Sequence, residues 1–153
     1  MDLQNEKLLD RIGLRILSVL QEHARMPLSR IGKRVGLSAP AVAERMRKLE
    51  EAGIIAGYHA RIAPDAIGRS VCAFIRLTTD PGYYKAIITL AEEVPQITSC
   101  HHISGDASFI LRVQVENVPA LESLVERLSP FGRTQTDIVL STPLDKNTLV
   151  PLP

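Results

Sequence analysis

Apolar residues repeat every three to four positions along the first fifty residues of the chain, which is the spacing of amphipathic helices. One helix is predicted from about Asp10 to His23. Met26-Pro27 breaks the pattern, and a second helix begins at Leu28 and ends at Gly36, which tolerates a left-handed backbone. Gly32 lies inside this second helix, where glycine costs about 1 kcal/mol against alanine. Its presence suggests that another helix approaches closely there.

A third helix is predicted after a short turn that contains glycine. Ser38 is a good N-cap, and Val42, Met46 and Leu49 repeat as an apolar stripe. Gly53 marks the end of this helix. A short helix, a tight turn and a second helix with a basic outer face are typical of a helix-turn-helix, whose second helix enters the major groove of DNA.

The face of the third helix opposite its apolar stripe carries the candidate DNA-binding residues. Most basic runs are only solvated helix faces, but the helix-turn-helix context favours contact with DNA. Arg47 and Lys48 are expected to contact phosphates, since half or more of such hydrogen bonds go to the backbone. Glu44 is able to accept a hydrogen bond from cytosine N4. The predicted set is Ser38, Pro40, Ala41, Glu44, Arg45, Arg47 and Lys48, with Arg45 at the margin of the stripe.

The residues after this helix predict a wing and then a domain boundary. Ile54–Ile62 looks like two very short strands in a hairpin, as in a winged helix-turn-helix. Pro64-Asp65-Ala66-Ile67-Gly68 follows as a loop or a turn of helix. We therefore predict a first domain of residues 1–62, a linker of residues 63–69 and a second domain of residues 70–153.

From Ser70 onward, strands and helices alternate. The predicted order is a strand at Val71–Leu77, a helix at Tyr83–Glu93, strands at Ile97–Ile103 and Phe109–Val115, a helix from Val118, and a strand at Thr134–Leu140. The order βαββαβ is that of a split βαβ or ferredoxin-like unit with an antiparallel sheet. The predicted fold class is thus α+β, with a three-helix winged helix-turn-helix followed by this unit.

Composition and charge narrow the possible partners. The chain has 153 residues, 45% of them hydrophobic, and a mean hydropathy of +0.07. No stretch approaches the roughly 20 apolar residues of a membrane span, and the start lacks the pattern of a secretory signal, so a cytoplasmic location is expected. Through Ile62 the chain carries eleven basic and seven acidic residues, a net +4, whereas the remainder carries seven and ten, a net −3. This asymmetry fits a polyanion-binding module joined to a regulatory or assembly module.

Metal binding and catalysis find little support in the sequence. Cys100-His101-His102 suggests a metal, because thiolate and imidazole bind Zn²⁺ or Cu. Neighbouring strand residues point to opposite faces, however, so only Cys100 and His102 share one, and no metal site is predicted. Cys72 and Cys100 are too few and too far apart for a disulfide framework. No nucleophile elbow or phosphate loop occurs, so no catalytic residue is predicted. The alternatives are a sensing domain without DNA binding and a small metabolic enzyme.

Several motifs together resemble the leucine-responsive/asparagine regulator (Lrp/AsnC) family of prokaryotic transcription factors. They are Arg25, the turn at Ser38, the run Glu44–Glu50, Gly53-Ile54-Ile55, Tyr58 and a later Gly105-Asp106 between two strands. The resemblance implies an N-terminal winged helix-turn-helix that binds double-stranded DNA. It also implies a C-terminal domain that dimerises through its sheet, often assembles to octamers and binds a small effector, commonly an amino acid.

The resemblance places the effector pocket at the loop 104–108 and the last strand. Independently of the resemblance, a loop with glycine offers free N–H groups to a carboxylate, and Asp106 is able to pair with an α-ammonium. The plainer reading is an ordinary hairpin turn. Many relatives carry a second acid followed by Tyr, where this chain has Ser108 and Phe109. The predicted effector-binding residues are His102, Ser104, Gly105, Asp106, Ala107, Ser108, Thr134 and Thr136. No cofactor is expected besides this amino-acid effector, and the expected assembly is a homodimer that forms a higher oligomer such as an octamer.

Overall fold

The computed structural model describes residues 7–146 and residue 149, and it divides by its contacts into two compact units. The first unit runs through Arg61 and takes in the chain again from Leu144, whereas the second is Ile62–Pro143. This division differs from the predicted second domain, which contained the C-terminal segment. The reason is pairing with the first unit, because Arg61 contacts the Asp145 carboxylate at 2.6 Å.

The first unit contains the helices of the predicted helix-turn-helix: α1 (Arg11–Glu22), α2 (Leu28–Val35) and α3 (Ala39–Glu51). Asp10 caps α1, since its carboxylate accepts a hydrogen bond of 2.8 Å from the Gly13 N–H. Ser38 caps α3 and accepts from the Ala41 N–H at 3.4 Å. Gly36 ends α2 in the left-handed conformation, with φ of 77°. The local signals in the sequence thus define the ends of these helices.

The core of the first unit is an apolar cluster to which all three helices contribute. Its buried members are Ile16, Val19, Leu20, Ile31, Val35, Val42 and Leu49. Gly32 lies beside this cluster, and a Cβ added there would come 2.3 Å from the Leu37 carbonyl oxygen. The sequence predicted that another helix approaches Gly32 closely. This is wrong, because the close neighbour is the backbone of the turn before α3.

The predicted wing does not form in the described structure. No strand occurs between residues 54 and 62 in this part of the chain. Instead, the N–H groups of Ile54 and Ile55 both donate to the Leu49 carbonyl, at 2.9 and 3.1 Å, and both side chains pack on the core. Both isoleucines therefore extend the end of α3 and pack on the core, so they are not available as a strand with which the following residues could pair.

The second unit has the predicted order βαββαβ. Its elements are β1 (Val71–Thr78), α4 (Tyr84–Glu93), β2 (Ile97–His102), β3 (Phe109–Val115), α5 (Val118–Leu128) and β4 (Arg133–Ile138). The strands form one antiparallel sheet in the order β2-β3-β1-β4. This arrangement confirms the α+β fold class with a ferredoxin-like unit.

Alternation along β1 separates a buried face of the sheet from an open one. Ala73, Ile75 and Leu77 are fully buried with the apolar residues of α4 and α5. Phe74 and Arg76 point to the other face, and Phe74 keeps 37% of its surface exposed. We refer to that second face as the open sheet face. No helix among the described residues is long and apolar enough to cross a membrane.

Candidate DNA-binding and effector sites

The outer face of α3 presents charged side chains that are paired with one another. Arg47 donates two hydrogen bonds to the Glu44 carboxylate, at 2.7 and 2.9 Å, and also contacts Glu51. The Lys48 ammonium lies 3.4 Å from Glu44. These pairs, chiefly the hydrogen bond from Arg47, lower the pKa of Glu44 to about 2. Glu44 is therefore ionised at neutral pH, and both of its oxygens already accept from Arg47.

Arg45 makes a different contact from the rest of the predicted set. Its guanidinium forms a bidentate pair with Asp10, with both N···O distances 2.8 Å. Its side chain keeps 31% of its surface exposed. The hydrogen bond from Arg45, followed by that from the Gly13 N–H, lowers the pKa of Asp10. Arg45 therefore ties α3 to the start of α1, and its contact with DNA stays a prediction.

The start of α3 carries the remaining predicted DNA-binding residues. Ser38 and Pro40 are exposed, and Ala41 is half-buried. In helix-turn-helix docking the N-terminal residues of the second helix are the ones that contact base edges. These three residues lie at the start of α3, and their contact with base edges stays a prediction.

A basic cavity in the first unit was missed by the sequence analysis. It has a volume of about 620 Å³, and its lining includes Arg25, Arg30 and Arg34. The arginines are four or five positions apart in sequence, across the break between α1 and α2. Only the fold shows that they share one cavity with residues that follow α3.

The predicted effector loop is held against the end of β1. The Ser108 N–H donates to the Leu77 carbonyl at 2.9 Å, and its hydroxyl donates to the Thr79 carbonyl at 3.1 Å. The Thr78 hydroxyl donates to the Asp106 carbonyl at 3.1 Å. The Asp106 residue is itself exposed. The loop backbone is therefore anchored, while the Asp106 carboxylate is accessible for pairing with a ligand.

The other predicted effector residues lie on two different strands. Thr134 of β4 pairs in register with Leu77 of β1, whose carbonyl accepts the hydrogen bond from the Ser108 N–H. Thr136 follows two positions along β4. His102 instead lies on β2, where its ring contacts Tyr84 at 4.8 Å and Phe109 at 5.1 Å between centroids. The structure thus brings Thr134 and the loop 104–108 to one end of β1 and puts His102 in an aromatic cluster.

The remaining residues of the predicted effector loop lie at or near the surface, and the Cys100 thiol is half-buried. Ser104 and Gly105 are exposed, and Ala107 is half-buried. Cys100 packs against the core of the second unit, and burial raises the pKa of its thiol. Within residues 7–146 and 149, no three His, Cys, Asp or Glu side chains are placed to hold a metal ion.

Comparisons with known proteins give two family matches. Residues 9–50 match the AsnC-type helix-turn-helix domain, and residues 72–149 match the Lrp/AsnC ligand binding domain. The first match covers the helices of the first unit, and the second covers the sheet of the second unit. Together they span most of the chain.

Individual relatives match over nearly their full lengths. The chain is 37% identical over 134 residues to YezC of Bacillus subtilis, an uncharacterised HTH-type transcriptional regulator, covering 88% of this chain and 95% of YezC. It is 37% identical over 137 residues to the HTH-type transcriptional regulator LrpA of Mycobacterium tuberculosis, covering 88% and 91%. A feast or famine regulatory protein from M. tuberculosis, solved in complex with L-methionine, superposes with a TM-score of 0.86 at 34% identity, covering 94% of this chain and 99% of that one.

Proposed function

Since the chain belongs to the Lrp/AsnC family of transcriptional regulators, we propose that α3 of its first unit enters the major groove of double-stranded DNA. The protein is a DNA-binding regulator whose activity an amino-acid effector modulates, and it is not an enzyme. The observation that carries the proposal is the exposed face of α3, with its N-terminal end capped and its basic residues outward. We also propose that the protein acts in the cytoplasm, where a regulator of this prokaryotic family would meet its DNA.

The phosphate-contacting role of Lys48 gives the first test. Replacing Lys48 with alanine should weaken binding to every duplex alike and reduce the slope of log K against log salt by about one. Lys85→Ala is a matched control, because Lys85 is an exposed lysine on α4 of the second unit. Fluorescence anisotropy with the DNA upstream of the protein's own gene measures both slopes. An unchanged slope in the Lys48 variant refutes this role.

Glu44 provides a test of base readout. In the free protein its carboxylate holds Arg47 and Lys48, so binding exchanges these pairs for contacts with phosphates and a base. Glu44→Ala should therefore tighten binding to unrelated DNA while reducing the ratio of specific to non-specific affinity. A variant with the specificity ratio of the parent would show that Glu44 reads no base.

We propose that the second unit binds the amino acid at the loop 104–108 and Thr134. The N–H groups of residues 104–107 would donate to the ligand carboxylate, and Asp106 would pair with the α-ammonium. L-Methionine is the first compound to test, because the M. tuberculosis neighbour is complexed with it. Calorimetry should show binding that is lost in Asp106→Ala and retained in Asp65→Asn, an exposed acid outside the loop. Equal binding by both variants refutes the role of Asp106.

Assembly into homodimers, and from them a higher oligomer such as an octamer, completes the proposal. One helix-turn-helix covers half a site, and two-fold proteins read pseudo-palindromes. The open sheet face suits the dimer contact, since Phe74 is exposed there beside the Arg76–Asp137 pair at 2.5 Å. Phe74→Glu should shift sedimentation from dimer-based species to monomer. An effector changes this equilibrium only through a difference in its affinity for two assemblies.

A further inference from the structure

A cavity in the first unit is built from three separate segments of the chain. The turn after α1 contributes His23 and Arg25, α2 contributes Arg30 and Arg34, and the chain after α3 contributes Tyr58 and His59. Its volume of about 620 Å³ exceeds what a single side chain would fill. The cavity is therefore a feature of the tertiary fold and not of one helix end.

The lining of the cavity contains basic side chains and no acidic ones. Three arginines and two histidines line it, and no Asp or Glu does. Among the described residues, Arg25 and Arg30 form no ion pair, and Arg34 has only Glu22, at 3.8 Å with both side chains about half exposed. Three arginines around one cavity carry like charges, and their mutual repulsion disfavours the arrangement. An anion in the cavity would remove that repulsion.

The cavity lies along the helix that precedes the DNA-reading helix. In helix-turn-helix docking, the first helix of the pair crosses the phosphate backbone while the second reads bases. Pro27 and Arg30, at the start of α2, belong to the lining. On the other side, the Tyr58 hydroxyl donates to the Glu50 carboxylate at 2.8 Å, which fixes that wall to the end of α3. One packed unit therefore presents both α3 and the cavity.

We propose that this cavity binds one phosphate of the DNA backbone, beside the base pairs that α3 reads. The inference rests on the proposed binding of DNA by the first unit. The guanidinium groups of Arg25 and Arg30 supply planar forks of N–H donors, which match phosphate oxygens better than lysine does. This contact sets the position of α3 on the duplex, because phosphate contacts determine register and not sequence.

The test compares a double variant, Arg25→Gln with Arg30→Gln, with the single variant Arg11→Gln. Arg11 is exposed at the start of α1 and lies outside the cavity lining, so it controls for the loss of one of the two positive charges that the double variant removes. Anisotropy titrations over a range of salt use the upstream duplex and an unrelated duplex. The double variant should lose affinity for both duplexes, with a slope of log K against log salt smaller by about 0.9, the value for one phosphate. Arg11→Gln should keep the slope of the parent.

Backbone-modified duplexes locate the contact. Replacing one phosphate at a time with an uncharged methylphosphonate should reveal one position per half-site where the parent loses affinity and the double variant loses none. The proposal is overturned if every methylphosphonate weakens the double variant as much as it weakens the parent. It is also overturned if the double variant has the same slope of log K against log salt as the parent. If Lys48→Ala still reduces the slope in that case, the proposed function stands and only the cavity's role is lost.

A free phosphate compound is the other possible source of the anion. Calorimetry with pyrophosphate in the absence of DNA should show no saturable binding to the parent at millimolar concentration. Saturable binding that the double variant abolishes, with an unchanged salt slope on DNA, overturns the assignment to the DNA backbone. A parent that binds neither duplex overturns the proposed function and this inference with it.

Discussion

The Asp10 carboxylate serves two elements at once, and replacing Asp10 with alanine removes both contacts. It caps α1 by accepting from the Gly13 N–H at 2.8 Å, and it pairs with both terminal nitrogens of Arg45 on α3. The change should therefore destabilise the first unit through two separable terms. Asp10→Asn separates them, because asparagine is as good an N-cap as aspartate but carries no charge.

The size of each term follows from the geometry. Loss of an N-cap costs about 1 kcal/mol. The pair with Arg45 has side chains 31% and 41% exposed, so solvent screening limits its contribution to about 0.5–1 kcal/mol. Asp10→Ala should then cost about 1.5–2 kcal/mol, and Asp10→Asn only about 0.5–1 kcal/mol.

The same pair predicts a dependence on pH. The hydrogen bond from Arg45 and that from the Gly13 N–H hold the pKa of Asp10 below its ordinary value of 3.8. A group with a depressed folded pKa contributes stability above its unfolded pKa and loses it as the pH falls through the folded pKa. The difference between parent and Asp10→Asn should thus be complete at pH 7 and shrink below about pH 4.

Hydrogen exchange measured by mass spectrometry suits this test, because peptides from α1 and α3 report on the first unit alone. The parent, Asp10→Ala, Arg45→Ala and the double variant form a double-mutant cycle. A coupling free energy of about 0.5–1 kcal/mol is expected between the two residues. Additive effects would show that the pair contributes nothing, and equal losses in Asp10→Ala and Asp10→Asn would refute the role of the cap.

Two further predictions concern backbone crowding and a tyrosine pKa. Gly32→Ala should lower the free energy of unfolding of the first unit by more than about 2 kcal/mol, although alanine is the better helix former, because its Cβ would meet the Leu37 carbonyl at 2.3 Å. Urea unfolding measures the loss, and Gly82→Ala, where nothing lies within 4 Å, should change it little. Burial, and then the hydrogen bond to Glu50, raise the pKa of Tyr58 to about 12, so Glu50→Gln should lower it only part of the way toward 10.0. NMR of the tyrosine ring resonances follows that titration, and an unchanged pKa would assign the whole effect to burial.

Much of the fold was predictable because its signals are local. Ser38 and Gly36 mark helix ends through contacts with residues at most four positions away. Alternation along Val71–Thr78 identifies a strand with one buried face, and the order of elements then restricts the topology to a ferredoxin-like unit. The wing was predicted wrongly because Ile54 and Ile55 have β-branched side chains that suit either a strand or an apolar core.

The sequence predicted which residue types form the candidate sites, but not which residues they pair with or hydrogen-bond to. The basic face of α3 follows from helical periodicity, yet the pairing of Arg47 with Glu44 and Glu51 depends on side-chain conformations that periodicity does not determine. The loop at Gly105-Asp106 was recognisable as a glycine-containing turn between strands. Its anchoring to Thr78 and Thr79 depends on the sheet register, which pairs residues about thirty positions apart.

By itself, the sequence determined the order of the helices and of the sheet strands, which faces are apolar and which family the motifs resemble, because these depend on spacings of a few residues. Tertiary structure alone decided that Arg45 pairs with Asp10, 35 positions earlier, and that Arg25 and Arg30 share a cavity with Tyr58. It also decided that Asp145 joins the first unit. These contacts arise from how the elements pack, and the periodic sequence pattern does not show which distant residue will lie next to a given side chain.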